Sequence, residues 1–191
     1  MTHVEKIALV SMPGGGKSTV GRHLARRLNW DFVDSDSVIE HRVGSSIRSF
    51  FEREGEARFR DIEQEVIAEW ADAPNSVLAT GGGAVLREAN RLMLRQHAIV
   101  VYLRSTPEDL FRRLRNDSKR PLLQVADPLA RLRELYSVRD PLYREAAHFS
   151  VDTGRPSVPT LVNMILMQLE LAGVVDPSNV PSPIDSGAAP P

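Results

Sequence analysis

Lys17 and Ser18 follow three consecutive glycines, Gly14, Gly15 and Gly16, and this run comes shortly after the apolar stretch Ile7-Ala8-Leu9-Val10. A buried strand, a glycine-rich turn and a Lys-Ser pair that opens a helix form the setting of a phosphate-binding loop. Backbone amides around Gly14, Gly15 and Gly16 can wrap an anion because no Cβ blocks the approach. A helix starting near Lys17 adds its positive end and its unpaired amides. In such a loop Pro13 to Thr19 surround the phosphates, Lys17 reaches the terminal ones and the Ser18 hydroxyl ligates Mg²⁺. One position departs from the pattern. The motif has a glycine separated from the Gly-Lys pair by four residues, and Ser11 stands there. A serine at the strand exit is expected to be tolerated if its φ is negative.

Other groups could act beside this loop. Asp34-Ser35-Asp36 follows the short apolar pair Phe32-Val33. At a strand end residues i and i+2 point the same way, so both carboxylates can face one site. One would hold a metal-bound water and the other would orient an acceptor hydroxyl. Taken alone, the tripeptide reads better as a turn with two solvated acids. Thr80-Gly81-Gly82-Gly83 follows Val77-Leu78-Ala79, and three glycines at a strand's carboxyl end make sense where backbone must approach a ligand. Arg60, at the start of one helix, and Arg139, placed after another, could each bind a carboxylate through a bidentate fork. Arginine is abundant, however: three of the 24 basic residues are lysines (Lys6, Lys17 and Lys119) and the rest are arginines. Each of the two is therefore weak evidence by itself. Lys17 stands out against that background, because a phosphate loop needs a compact ammonium.

These residues need a frame to hold them. Apolar runs suited to buried parallel strands lie at 7–10, 32–33, 77–79, 99–103 and 149–151. Helical stripes separate them: Val20, Leu24 and Leu28; Ile62, Val66, Ile67 and Trp70; Leu110 and Leu114 after the Thr106-Pro107 start; Leu129, Leu132, Leu135 and Tyr136 after Asp127-Pro128; and Val158 to Leu169. Alternating strands and helices predict an α/β fold, a parallel sheet with helices on both faces. The polar stretch 116–126, with Lys119-Arg120-Pro121, is expected to be a mobile lid. Residues 174–191 hold five prolines and no Lys or Arg, which predicts a disordered tail whose removal leaves turnover and stability nearly unchanged.

Bulk composition excludes several classes. A chain of 191 residues is sized for one domain. A formal net charge of −1 argues against a nucleic-acid partner held by bulk electrostatics. No apolar run is long enough to cross a membrane, and the N-terminus shows no secretory pattern. The absence of cysteine removes disulfides and thiolate metal sites and suits the cytoplasm.

Together these motifs resemble the shikimate kinase family. The resemblance runs from Ile7 to about Leu171. It is carried by Gly-Lys-Ser-Thr at 16–19, Asp34-Ser35-Asp36, Gly-Glu-x-x-Phe-Arg at 55–60, Ala79 to Gly83, Lys119-Arg120-Pro121-Leu122-Leu123 and Arg139-x-Pro141-Leu142-Tyr143. It implies a P-loop fold like that of nucleoside monophosphate kinases, with about five parallel strands and a lid at about 116–126. It also implies one kinase domain over 1–173 and a substrate-binding segment at about 34–63. The implied reaction moves the γ-phosphoryl of ATP to the 3-hydroxyl of shikimate, with Mg²⁺, in the route to chorismate and aromatic amino acids. By resemblance, Asp36 contacts the acceptor hydroxyl, and Asp34 is the water-mediated Mg²⁺ partner beside Ser18. Arg60 and Arg139 clamp the substrate carboxylate. Gly81, Gly82 and Gly83 run along its hydroxyls, and Phe51 and Phe59 line its ring. Arg120 closes on the phosphates, and Arg113 and Arg155 flank adenine. The expected partners are ATP and shikimate alone, bound by a cytoplasmic monomer with no nucleic acid or membrane. Two other readings use the same loop: a related small-metabolite kinase, such as one for gluconate, and a non-catalytic nucleotide-binding module. Arg60, Arg139 and the triple glycine weigh against the first. Lys17, Ser18, Asp34, Asp36 and Arg120 together weigh against the second.

Overall fold

The computed structural model describes residues 6–115, 125–176, 178 and 180. Among these, five strands form one sheet: β1 (Lys6–Val10), β2 (Asp31–Asp34), β3 (Ser76–Ala79), β4 (Ile99–Arg104) and β5 (Phe149–Asp152). Their order is β2-β3-β1-β4-β5, and every pairing is parallel. The helices are α1 (Lys17–Leu28), α2 (Ser35–Val43), α3 (Ile47–Glu54), α4 (Glu56–Asp72), α5 (Glu88–His97), α6 (Pro107–Leu114), α7 (Pro128–Ala146) and α8 (Val158–Leu171). The five apolar runs in the sequence are these five strands.

Alternate residues of each central strand enter opposite cores, as the pleat requires. Ile7 and Leu9 pack with Val20 and Leu24 of α1 and with Leu161 and Ile165 of α8. Ala8 and Val10 pack with Ile67 and Trp70 of α4, Leu94 of α5, Leu110 of α6, and Leu132 and Tyr143 of α7. A third cluster, built on Ile39, Phe50, Phe59, Ile62 and Val66, holds α2 and α3 against α4. The caps follow the sequence signals. Thr106 accepts from Asp109 N at 3.1 Å and Asp127 accepts from Ala130 N at 3.1 Å, each followed by proline in the first turn.

Three expectations need correction. Arg139 to Tyr143 do not follow a helix but lie inside α7, which runs through Pro141. The apolar register decides this: Leu132, Tyr143 and Ala146 are all buried in one core, and that packing outweighs the one backbone bond Pro141 cannot donate. Asp36 does not lie on a strand extension. Asp34 ends β2 and caps α2, accepting from Asp36 N at 3.0 Å and Ser37 N at 3.3 Å, so Asp36 belongs to the first helical turn. The chain beyond Gly173 also begins differently from a tail. Val175 is 9% exposed, and Val174 and Val180 pack on the α1/α8 core, because Gly173, at φ 69°, turns the chain back after α8. Truncation after Gly173 is therefore expected to cost roughly 2–3 kcal/mol in thermal unfolding, the value of burying about one valine side chain and parts of two others. The expected lid, with Lys119 and Arg120, lies outside the described residues apart from Val125 and Ala126, as do residues 177, 179 and 181–191 of the expected tail.

Candidate functional site

Three neighbouring strands, β2, β3 and β1, deliver the site from their carboxyl ends: β1 into the glycine loop, β2 into Asp34, and β3 into Thr80 to Gly83. Parallel strands make this possible, because their carboxyl ends share one edge. Thr80 Oγ1 donates to Leu9 O at 2.9 Å and Gly81 N donates to Ser35 Oγ at 3.0 Å. These bonds tie the triple-glycine segment to β1 and α2. Ser35, fully buried, is thus the fastener of the Asp-Ser-Asp motif, a role its sequence position does not reveal.

The glycine loop keeps Gly14 at φ 81° and Gly16 at φ 86°, conformations that favour glycine. Gly16 precedes α1 without a side-chain cap, leaving first-turn amides to a ligand. Lys17 is 9% exposed, and its ammonium donates to Ser11 O at 2.9 Å, Ser11 Oγ at 3.1 Å and Met12 O at 3.2 Å. Among the described residues the only non-glycine at positive φ is Asn29, so Ser11 sits without backbone strain, as expected. The Ser18 hydroxyl donates to Asp34 Oδ2 at 2.7 Å, while Asp34 Oδ1 is occupied by the α2 cap. Two hard oxygen donors are therefore adjacent at the loop.

The triple glycine serves space rather than conformation, since none of the three has a positive φ. A Cβ on Gly81 would lie 2.7 Å from Asp36 Oδ1, on Gly82 2.7 Å from Pro13 Cδ, and on Gly83 2.3 Å from Arg60 Nη2. The glycines let an acid, the phosphate loop and a guanidinium converge on one stretch of backbone. These groups face a cavity of about 700 Å³, also lined by Phe51, Phe59, Glu63 and Arg139. Phe51 and Phe59 lie 4.7 Å apart between ring centroids, and the Arg60 guanidinium lies 5.1 Å from the Phe59 centroid, a cation–π contact.

Electrostatics inside the cavity are unusual. Burial, then the neighbouring Asp34 carboxylate, push Asp36 up to about 6. Glu63, with no exposed surface, accepts from Arg60 Nη1 at 2.9 Å, and burial raises its pKa against the opposing pull of Arg60. Its second oxygen, Oε2, is buried without a hydrogen-bond partner, as is Arg60 Nε. Orphaned buried polar atoms that line a cavity suit a polar ligand. Glu63 was not singled out in the sequence, where its place one turn after Arg60 (i+3) was the available signal. Tyr143 was quoted there only as part of a motif. Arg139 hydrogen-bonds its hydroxyl, which in turn donates to Gly82 O at 2.5 Å. The helical placement of Arg139 is what lets Tyr143, four residues on, link it to the glycine segment.

Arg113 and Arg155 fall outside this cavity. Arg113 Nη2 donates to Thr153 O at 2.5 Å. Arg155 lines a second cavity, of about 440 Å³, with Thr106, Asp109 and Gly154. A Cβ on Gly14 would lie 2.8 Å from Leu114 Cδ2, so the phosphate loop abuts the end of α6 that carries Arg113. Arg120 lies outside the described residues.

Comparison with known proteins follows the same lines. The family model described as "Shikimate kinase" matches residues 13–170. A shikimate kinase of Paracidovorax citrulli is 61% identical over 175 residues, covering 90% of this chain and 96% of that one. The solved structure of a shikimate kinase from Acinetobacter baumannii in complex with shikimate superposes with a TM-score of 0.84 at 45% identity, covering 91% of this chain and 96% of that one. A gluconokinase from Sinorhizobium meliloti, at 16% identity and a TM-score of 0.55 over 90% of this chain and 95% of its own, shares the fold alone.

Proposed function

The chain belongs to the shikimate kinase family, ATP-dependent kinases of aromatic amino acid biosynthesis, and we propose that its own cavity phosphorylates the 3-hydroxyl of shikimate. The observation that carries this reading is the convergence of Arg60, Arg139, Asp36 and the triple-glycine backbone in one cavity bordered by Pro13 of the phosphate loop. A carboxylate, a set of hydroxyls and a phosphate donor each meet a complementary group there.

The substrate carboxylate lies between Arg139 and Arg60. Glu63 already engages one arm of Arg60, which fixes the guanidinium plane, and its orphan Oε2 accepts from a substrate hydroxyl. The 3-hydroxyl faces Asp36. As its oxygen attacks the γ-phosphorus, the bond from that phosphorus to the β–γ bridging oxygen of ATP breaks, ADP leaves, and the hydroxyl proton passes to an Asp36 carboxylate oxygen. At about 6, Asp36 is mostly ionised at neutral pH and can accept that proton. A loose transition state asks for no strong base, yet the proton must still leave, so Asp36 is needed as its acceptor while positioning and charge neutralisation supply the rest of the rate.

Lys17 and the amides of Gly14 to Thr19 hold the β- and γ-phosphates. Arg120 adds positive charge by its place in the family motif, and Arg113 and Arg155 border adenine. The adjacent oxygens of Ser18 and Asp34 fit Mg²⁺, Ser18 as ligand and Asp34 through water. The ion would supply charge neutralisation on the phosphates. Among the described residues no helix is long and apolar enough to cross a membrane. The lack of cysteine suits the cytoplasm, and the low net charge fits small-molecule substrates rather than nucleic acid; we read the chain as a monomer with its catalytic domain within 1–173.

Thermal unfolding with added ligand tests the acceptor. Millimolar shikimate should raise the melting temperature and gluconate should not; equal shifts would reject the carboxylate-plus-hydroxyl assignment. Arg139→Ala should abolish the shikimate shift and raise KM for shikimate about 30-fold or more while KM for ATP changes little, because a charged hydrogen-bond pair is lost on one substrate only. An unchanged shikimate KM would reject the clamp.

A further inference from the structure

Position 11 is where this chain departs from the phosphate-loop pattern, and the serine there is not a passive replacement. Ser11 is 1% exposed. Its hydroxyl lies 3.1 Å from Lys17 Nζ and donates its own proton to Met12 O at 2.9 Å. The same ammonium donates to Ser11 O and Met12 O. An ammonium has three protons, and these three oxygens compete for them. Two are backbone carbonyls fixed by β1 and the loop, and Met12 O also accepts from Gly15 N at 3.0 Å. The third is a hydroxyl that moves by rotation about one side-chain bond. A phosphate oxygen that reaches Lys17 needs at least one of those protons, and the hydroxyl is the acceptor that yields with least disturbance.

A second observation concerns Gly15. Unlike Gly14 and Gly16, it does not have a positive φ, so its backbone accepts any residue. A Cβ there would nevertheless lie 2.3 Å from Ser11 Oγ and 2.9 Å from Ser11 Cβ, with Met12 O the next neighbour at 3.1 Å. Glycine at 15 answers to the volume of the side chain at 11. The two positions form a size-matched pair beneath the loop.

We infer that Ser11 is a positioning residue for the proposed phosphoryl transfer. Its hydroxyl holds the Lys17 ammonium in a nucleotide-free pose and is displaced when phosphate binds, with Gly15 as its required partner. This inference rests on the kinase reading above, since Lys17 must meet a nucleotide phosphate for the displacement to occur.

The test is calorimetric titration of MgADP and of an ATP analogue into the full chain and its variants. Ser11→Ala and Ser11→Gly should each bind both nucleotides about tenfold tighter, the lower value of one hydrogen bond from a charged donor no longer lost on binding. KM for ATP should fall by a similar factor while KM for shikimate stays unchanged, a split that general loosening of the fold would not give. Gly15→Ala should weaken MgADP at least tenfold in the natural chain and less than threefold in a Ser11→Gly background. Affinities within twofold of the natural chain for both Ser11 variants, or weaker binding, would overturn the displacement. An equal cost of Gly15→Ala in both backgrounds would overturn the pairing. Failure of the natural chain itself to bind MgADP would overturn the kinase reading, and the inference with it.

Discussion

Asp36→Asn is expected to lower kcat about 10³-fold and, at the same time, to raise the melting temperature at pH 8 by several degrees. Both effects come from the same environment. The carboxylate sits against Gly81, beside Asp34 and Glu63, in a buried corner that pushes its pKa from 3.8 to about 6. An amide keeps the shape but cannot take the acceptor proton, and loss of a positioned base costs about 10²–10⁴ in rate. The sign for stability follows from proton binding. Between pH 3.8 and about 6 the folded state holds this proton more tightly than the unfolded chain, so the natural protein loses stability as pH rises through that window. The loss is complete above it and amounts to roughly 3 kcal/mol. The amide of the variant never carries the charge and so escapes the loss. In the natural chain kcat/KM should fall about tenfold per pH unit below about 6 as Asp36 protonates, and the variant should lack that limb. Chemical unfolding at pH 4 and pH 8 beside a pH–rate profile checks both halves. A variant that is inactive yet no more stable at pH 8 would show that burial does not dominate Asp36.

Lys17→Ala is expected to reduce kcat/KM for ATP by about 10³-fold or more while leaving shikimate binding nearly intact. Removing one preorganised donor from developing transition-state charge costs about 10²–10³, and Lys17 carries a full charge as well as donors. Its two backbone acceptors, Ser11 O at 2.9 Å and Met12 O at 3.2 Å, keep the ammonium at the loop when phosphate takes the place of the Ser11 hydroxyl. Shikimate titration by the thermal shift should still saturate in this variant, because the residues proposed to hold it sit on α2, α3, α4, α7 and the triple-glycine segment. Loss of both nucleotide and shikimate binding would instead mark a collapsed loop.

Much of the frame was legible from periodicity and capping. The central strands β1, β3 and β4 were visible as apolar runs because both of their faces are buried, the edge strands β2 and β5 showed as shorter apolar stretches, and Thr106-Pro107 and Asp127-Pro128 carried their helix starts in their own chemistry. Helices α2, α3 and α5 were not visible: they are short, and each has one buried apolar side chain, Ile39, Phe50 and Leu94, too few positions to set a period. Pro141 concealed the continuity of α7, since the rule against proline in a helix is local and the core contact of Tyr143 is not. At the site, residue types that chemistry demands stood out in the sequence: the Gly-Lys-Ser run, the paired acids, the triple glycine. The positioning residues did not. Ser35, Glu63 and Tyr143 act through bonds that join residues distant in the chain or through a buried pair, and a serine, glutamate or tyrosine carries no sequence mark of such a bond. Ser11 is the intermediate case. Its oddity was plain, and its contacts with Lys17 and Gly15 required coordinates.

The proposed coupling of the phosphate loop to one acceptor is measured by release of ADP. Coupled ADP assays with Mg-ATP should show rapid turnover with shikimate, none above background with gluconate, and none without acceptor, and omission of Mg²⁺ should stop the shikimate reaction. ADP release at equal rates with and without shikimate would contradict the account.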